Sequence, residues 1–117
     1  MSTLMNIGQA AAAAGVSPKM VRHYEAIGLL AEPQRNPSGY RLYTERDVSV
    51  LRFIARSRHL GFSTAQIGEL IGLWSDSHRS SREVKAVAER HLADLADKRR
   101  EIEQMMAGLG ELVAACH

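Results

Sequence analysis

The last third of the chain carries a repeat that a single compact chain cannot satisfy alone. From Ser81 onward there is no proline, and mostly apolar or small residues recur with spacings that alternate between four and three. These positions, the heptad seam, are Val84, Ala88, His91, Leu95, Lys98, Ile102, Met105, Leu109, Leu112 and Cys116. A sustained period of 3.5 residues is typical of a helix that winds around another helix. The sequence therefore predicts a long dimerisation helix over residues 81–115, with a second copy as its partner.

Five helix starts are signalled along the chain. A capping residue is followed three positions later by Gln, Glu or Asp in Asn6 with Gln9, Thr44 with Asp47, Ser63 with Gln66, and Ser80 with Glu83. Ser17 precedes Pro18, and proline is favoured at the first helical position. Gly15, Gly28 and Gly61 fall where a helix can end on a left-handed residue. These signals predict a mainly α fold.

The first two helices, at about residues 7–14 and 18–27, are separated by a three-residue turn, which is typical of a helix-turn-helix. The second helix offers Lys19, Arg22 and His23, with Tyr24 beside them. Arg22 is the best candidate to recognise a base edge, because a guanidinium can donate two hydrogen bonds to guanine, whereas Lys19 suits a phosphate. Taken alone, a single basic helix of this kind is more often a solvated surface than a DNA-binding one.

A basic hairpin is predicted after the second helix. Pro33 and Pro37 exclude a continuous helix, and Asn-Pro-Ser-Gly at residues 36–39 predicts a turn. Residues 30–32 and 40–43 are then the expected strands of a small wing, from which Arg35, Tyr40 and Arg41 would project. On a later helix, Arg58 with Arg56 could add phosphate contacts or be ordinary surface charge. Helix-turn-helix, wing and dimer helix together favour DNA binding.

Charge and motifs narrow the class of protein. Residues 1–62 contain eight Lys and Arg against four Asp and Glu, whereas the remainder is net acidic. This division suits a polyanion-binding head with a separate assembly segment. No nucleophile, base or cofactor motif converges, so an enzyme is not expected. No apolar run approaches the roughly 18 to 20 residues of a membrane span and no signal peptide is evident, so a cytoplasmic location is expected.

The sequence resembles the MerR family of regulators over about its first 75 positions. The matching segments are Ile7-Gly8-Gln9-Ala10-Ala11, Gly15-Val16-Ser17, Val21-Arg22-His23-Tyr24-Glu25, Gly28-Leu29-Leu30, Gly39-Tyr40-Arg41-Leu42-Tyr43 and Leu60-Gly61-Phe62-Ser63. The resemblance implies a winged helix-turn-helix head over residues 1–75, a linker over 76–80, and an antiparallel coiled-coil homodimer through 81–115. Double-stranded promoter DNA and RNA polymerase are the implied partners.

Within that family the chain is most similar to the copper-efflux regulators. The similar segments are Leu73-Trp74-Ser75-Asp76, Ser81, Val84-Lys85 and Leu112-Val113-Ala114-Ala115-Cys116. In those regulators the position of Cys116 begins a metal-binding loop with a second cysteine, and the position of Ser81 faces that loop from the other subunit. The resemblance implies Cys116 as a ligand of Cu(I), with Ag(I) or Au(I) as further candidates, and Ser81 as a selectivity residue. Two thiolates suit such a soft monovalent ion, whereas Zn(II) takes about four ligands.

The sequence departs from that pattern because the second loop cysteine is absent. Residues 116–117 are therefore expected to be an incomplete start of the metal-binding loop, left unloaded in a truncated chain. Without the resemblance, Cys116 would be a small apolar seam residue and Ser81 a first-turn helix residue.

The resulting hypothesis is a Cu(I)- or Ag(I)-sensing activator of copper-efflux genes that acts by distorting promoter DNA. Four alternatives remain open. They are a MerR-like regulator that responds to another metal, one that responds to a small molecule, a metal-insensitive repressor, and a metal carrier with an incidental basic face.

Overall fold

The computed structural model describes residues 4–75 and 80–116, without the side chains of residues 74 and 75. The elements are α1 (Ile7–Ala14), α2 (Pro18–Ala26), β1 (Gln34–Arg35), β2 (Arg41–Leu42), α3 (Glu45–His59), α4 (Thr64–Ser75) and α5 (Ser81–Ala115). They divide between two compact units, residues 1–75 and 76–117. The predicted mainly α fold, with a helix-turn-helix, a small wing and a long last helix, is confirmed. Of the predicted linker, residues 76–79 lie outside the described residues.

The helices begin at the predicted capping residues. In α1, Asn6 Oδ1 accepts a hydrogen bond from the Gln9 backbone N–H at 2.8 Å, and Gln9 Oε1 accepts one from the Asn6 N–H at 2.9 Å. The same reciprocal pair forms at the starts of α3 and α4. Ser17 and Ser80 cap α2 and α5. These bonds satisfy backbone donors that a helix start leaves unpaired, so the local sequence determines where each helix begins.

The core of the first unit forms where α1 meets α3. Ala10 and Ala11 on α1 and Leu51 and Ile54 on α3 are almost completely buried, and the small alanine side chains allow a close approach. The remaining buried apolar residues of this core are Ala14, Val21, Tyr24, Leu29, Leu30, Tyr43, Val48, Phe62 and Ile67. Outside the core, Arg52 donates from Nε and Nη2 to the carbonyl of Ala13 at 3.1 and 2.9 Å. The end of α1 is thereby tied to α3.

Met20, Phe53, Phe62 and Trp74 are large apolar or aromatic side chains, which are typical of a protein core. Phe62 is buried there, and Met20 and Phe53 pack against the core while remaining partly exposed. Trp74 belongs to α4, but its side chain lies outside the described residues.

The wing differs from the prediction in its first strand. Residues 30–32 are not a strand, and β1 instead comprises Gln34 and Arg35, which pair with Leu42 and Arg41 of β2. The physical reason is that Leu30 is buried in the core and Pro33 has no N–H to donate, so strand pairing begins only after the proline. The predicted second strand, residues 40–43, is also too long. The observed β2 comprises Arg41 and Leu42, and Tyr43 pairs with Met5 in an isolated bridge.

Gly15 provides a direct test of the turn between α1 and α2. Its φ is +74°, and a Cβ added there would meet no atom within 4 Å, so alanine introduces backbone strain without a clash. We expect Gly15→Ala to lower the free energy of unfolding by about 1 kcal/mol. Gly110→Ala, in the exposed interior of α5, is the matched control and should raise it by a similar amount. Urea unfolding measures both, and an unchanged Gly15→Ala variant would contradict the assigned turn.

The second unit is dominated by α5, which spans 35 residues. Five residues of its heptad seam are exposed apolar side chains: Leu95, Ile102, Met105, Leu109 and Leu112. Elsewhere along the seam His91 is buried, whereas Val84 and Ala88 are half-buried. The described helices include none that is long and apolar enough to cross a membrane.

Candidate nucleic-acid interface

The second helix separates its cations from its core residues. Lys19, Arg22 and His23 are exposed, whereas Val21 and Tyr24 are buried at 0% and 2% exposure. Positions three and four apart lie on one face of a helix, so the three cationic or titratable side chains share the outer surface of α2. This outer surface of α2 is exposed, so it is available to enter a groove of DNA.

Tyr24 does not belong to that surface. It was grouped with the DNA-contacting residues, but the structure places its ring in the core, where the tilted ring of His23 lies 5.8 Å away between centroids. The reason is its position on α2, three residues after Val21 and on the same buried face. Tyr24 supports α2 from inside and does not reach outward.

The tip of the wing is held by its own side chains. Asn36 Oδ1 accepts hydrogen bonds from the backbone N–H groups of Ser38 and Tyr40, both at 3.0 Å. Arg35 Nη1 donates to the carbonyl of Gly39 at 2.7 Å. Tyr40 projects from this rigid tip with 71% of its surface exposed. A large aromatic side chain so exposed on a preorganised loop is suited to contact a partner.

A cleft of about 510 Å³ lies between α2 and the wing. Arg22 from α2 and Arg35 and Arg41 from the wing all line this cleft, which we call the arginine cleft. Its lining also includes Asn6, Ile7, Asn36, Gly39, Tyr40 and Leu42, none of which carries a carboxylate. Three guanidinium groups at one concave surface create a positive potential that favours phosphates, and guanidinium also pairs bidentately with guanine.

Arg41 does not project freely from the wing as the sequence suggested. Its Nε lies 3.1 Å from Oε2 of Glu25 on α2, in an orientation that makes an ion pair and not an aligned hydrogen bond. The Glu25 side chain is 11% exposed and that of Arg41 is 35% exposed. The hydroxyl of buried Tyr43 donates a hydrogen bond to the other carboxylate oxygen of Glu25. Glu25 therefore joins α2 to the returning strand of the wing.

The surroundings of Tyr43 hold its hydroxyl in the protonated form. Burial raises the pKa of Tyr43 well above its ordinary value, and the hydrogen bond to Glu25 and the negative charge of that carboxylate raise it further. The nearby charges of Arg41 and Arg22 oppose this effect without cancelling it. The phenol stays neutral and continues to donate to Glu25 at any physiological pH.

The raised pKa makes stability depend on alkaline pH. Above about pH 10 the unfolded chain releases the Tyr43 proton while the folded chain retains it, so the stabilisation is complete below pH 10 and is lost as pH rises further. We expect Tyr43→Phe to be less stable than wild type by about 1–3 kcal/mol at pH 8. That difference should shrink by about 1 kcal/mol between pH 10 and pH 11. Urea unfolding at each pH measures it, and a difference independent of pH would contradict the assignment.

Arg58 lies apart from the arginine cleft. It lines a second cleft of about 350 Å³ with His59, Gly15 and Val16, at the place where the end of α3 meets the turn between α1 and α2. Arg58 and Arg56 are both exposed. A cation beside a helix-turn-helix turn can contact the DNA backbone without recognising bases, which suits the subsidiary role predicted for Arg58.

The two residues implied in metal sensing lie at opposite ends of α5. Ser81 is its first residue and Cys116 is its C-cap, and both are exposed. A helix of 35 residues is about 50 Å long, so the two side chains cannot meet within one chain. The described residues contain no group of three His, Cys, Asp or Glu side chains placed to hold a metal. One thiol does not complete a donor set, and these residues alone do not fit a bound ion.

A helix-turn-helix with an exposed cationic second helix and a basic wing beside it defines a winged helix-turn-helix head. Comparison with known families agrees with this class. The family described as MerR HTH family regulatory protein matches residues 5–72, and the family described as MerR, DNA binding matches residues 48–112.

Individual proteins support the same assignment. The chain is 50% identical over 113 residues to heavy metal-dependent transcription regulator 2 of Rhizobium meliloti strain 1021. The matched segment covers 97% of this chain and 77% of that protein. PbrR691 from Ralstonia metallidurans CH34, solved in complex with lead(II), has a TM-score of 0.64 at 32% identity over 97% of this chain and 88% of that one. HiNmlR, a MerR family regulator lacking the sensor domain and bound to promoter DNA, has a TM-score of 0.81. Its identity is 20% over 96% of this chain and 89% of that one, which shows the fold.

The chain belongs to the MerR family of helix-turn-helix regulatory proteins. It is accordingly a DNA-binding transcription regulator and not an enzyme.

Proposed function

We propose that the chain is a homodimeric, promoter-specific regulator that responds to a heavy metal in the cytoplasm. The observation that carries the DNA-binding part is the arginine cleft beside the exposed face of α2. In this arrangement α2 enters the major groove and Arg22 contacts base edges. Lys19 and His23 contact the DNA backbones on either side of the groove. Arg35 and Tyr40 follow the adjacent DNA backbone from the wing.

The dimer part rests on the exposed heptad seam of α5. Ile102, Met105, Leu109 and Leu112 are each more than half exposed at the spacing of a coiled coil, and burial against a second α5 removes this apolar surface from water. An antiparallel pairing would also bring Ser81 of one chain toward Cys116 of the other. The roughly 50 Å that separates these two residues within one helix is then no obstacle.

The metal part rests on relatives. The similar protein from Rhizobium meliloti is a heavy metal-dependent regulator, and PbrR691 was solved in complex with lead(II). For this chain we propose Cu(I) as the signal, with Ag(I) as its closest analogue. Cys116 offers a soft, exposed thiolate, and a hydroxyl at Ser81 withholds the extra thiolate that a divalent ion prefers. Because one thiol does not complete a site, no coordination geometry is assigned.

The proposed output is a change in promoter shape. A dimer that binds two half-sites through α2 and the wing can bend or untwist the DNA between them. The deformation energy depends on the distance and orientation between the two DNA-binding heads. RNA polymerase would then engage a promoter whose elements are otherwise misaligned.

The experiment that tests the metal response is a titration of the protein with Cu(I) and with Zn(II), followed by promoter transcription in vitro with each ion. We expect Cu(I) to bind more tightly and to be the ion that activates transcription. Activation by Zn(II) instead would replace copper with a divalent signal. Promoter binding that neither metal alters would favour a metal-insensitive repressor.

A further inference from the structure

An acidic side chain is paired with one of the three arginines that line the arginine cleft. Glu25 is on α2, about two turns from its start, and its side chain is 11% exposed at the junction with the wing. One carboxylate oxygen of Glu25 accepts a hydrogen bond from the Tyr43 hydroxyl, and the other lies 3.1 Å from Arg41 Nε. A carboxylate repels the phosphates of DNA, so its pairing with an arginine of this cleft calls for a reason beyond binding strength.

Glu25 changes what Arg41 can contribute. A partly buried ion pair removes most of the net positive charge that Arg41 would otherwise offer to a phosphate. The same contact fixes the Arg41 guanidinium to α2, whereas among the described residues Arg22 and Arg35 of the same cleft take part in no ion pair. Arg41 is therefore constrained and neutralised, whereas its two neighbours in the cleft retain their charge.

We propose that Glu25 is a specificity-determining residue. It neutralises and orients Arg41, so that the wing binds tightly only to DNA whose shape fits the fixed position of the Arg41 guanidinium. This inference rests on the proposed DNA-binding function. A freed Arg41 would bind phosphates of any sequence, which raises non-specific affinity. Glu25 thus reduces binding to the wrong DNA more than binding to the operator.

Glu25→Gln isolates the charge. Glutamine has nearly the same shape, and its side-chain carbonyl can still accept the hydrogen bond from Tyr43, but it does not neutralise Arg41. The probes are a duplex selected by the wild-type dimer from a random-sequence library and a scrambled duplex of equal length and composition. Fluorescence anisotropy measures the affinity for each duplex at several salt concentrations.

The expected result has a direction that a structural defect would not give. Affinity of Glu25→Gln for the scrambled duplex should rise by about 3- to 10-fold, and the operator-to-scrambled ratio should fall by about tenfold. The slope of log affinity against log salt should steepen by about 0.9 for each new phosphate contact, or nearly 2 for a dimer. Equal weakening on both duplexes with an unchanged slope, or no change at all, would overturn the proposal.

Two further variants keep the test decisive. The double variant Glu25→Gln with Arg41→Gln removes one charge of each sign, so its salt slope should return to the wild-type value while its operator preference stays reduced. A slope below that of wild type would mean that Arg41 already contacts phosphate, which contradicts the proposal. The double variant also replaces Glu25→Gln as the test if the single variant does not fold. Tyr43→Phe, which leaves all charges in place, should keep the wild-type slope.

Failure of the inference can be distinguished from failure of the proposed function. If wild-type protein selects no duplex from the library, the DNA-binding proposal itself fails. If wild type selects an operator and Glu25→Gln discriminates equally well, the DNA-binding proposal stands and the role of Glu25 is wrong.

Discussion

Arg22→Ala should abolish operator preference while leaving the dimer intact. Arg22 is exposed on α2 and lines the arginine cleft, so its guanidinium can reach a base edge without any rearrangement of the core. A bidentate contact to guanine contributes about 1–3 kcal/mol of discrimination. With one contact in each half-site, the operator-to-scrambled affinity ratio should fall by about 30-fold or more. Fluorescence anisotropy on both duplexes measures the ratio, and sedimentation confirms the dimer.

Lys19→Ala is the matched control for Arg22→Ala. It removes one positive charge from the same exposed face of α2, but a lysine that contacts phosphate carries no sequence information. We expect affinity for both duplexes to fall by a similar factor, with the salt slope reduced by about 0.9 per lost contact. Undiminished discrimination by Arg22→Ala would exclude base recognition by this residue.

Ile102→Asp should convert the dimer into monomers. Ile102 lies in the middle of the heptad seam and is 51% exposed in the single chain, so dimerisation is expected to bury it. An unpaired buried charge costs about 3–5 kcal/mol, and a symmetric dimer carries two of them. The dimer dissociation constant should therefore rise by at least about 1000-fold. Sedimentation equilibrium measures this constant, and helix content by circular dichroism reports whether the chain still folds.

Gln104→Asp controls for the added charge in Ile102→Asp. Residue 104 lies two positions further along α5, which turns its side chain about 200° around the helix and away from the heptad seam. Its dimer dissociation constant should stay within a few-fold of wild type. If Ile102→Asp also remains dimeric at micromolar concentration, the α5 seam is not the interface.

Local sequence rules account for the elements that were predicted correctly. The capping pairs Asn6 with Gln9 and Thr44 with Asp47 lie within one helical turn, so the chain itself holds all the information that fixes those helix starts. The turn at residues 36–39 is equally local, because Asn36 makes its hydrogen bonds within four residues. Lys19, Arg22 and His23 were found by the spacing of a helix face.

Contacts between distant residues were not predictable in the same way. Tyr43 and Glu25 are 18 positions apart, and Arg52 and Ala13 are 39 apart, so no spacing rule connects them. The ion pair to Glu25 also changed the assignment of Arg41 from a projecting side chain to a constrained one. A signal for Tyr24 was present, since it follows Val21 at helical spacing, but Arg22 and His23 directly before it suggested an outward-facing segment.

The function proposed for the chain requires a dimer that recognises a specific DNA sequence. The most direct measurement is selection of duplexes by the purified protein from a random-sequence library at physiological salt, followed by sequencing. A dimeric winged helix-turn-helix regulator should enrich an inverted repeat whose half-sites are separated by about one helical turn or a multiple of it. Sequences indistinguishable from the starting library would contradict sequence-specific binding, and a single unpaired half-site would contradict the dimer.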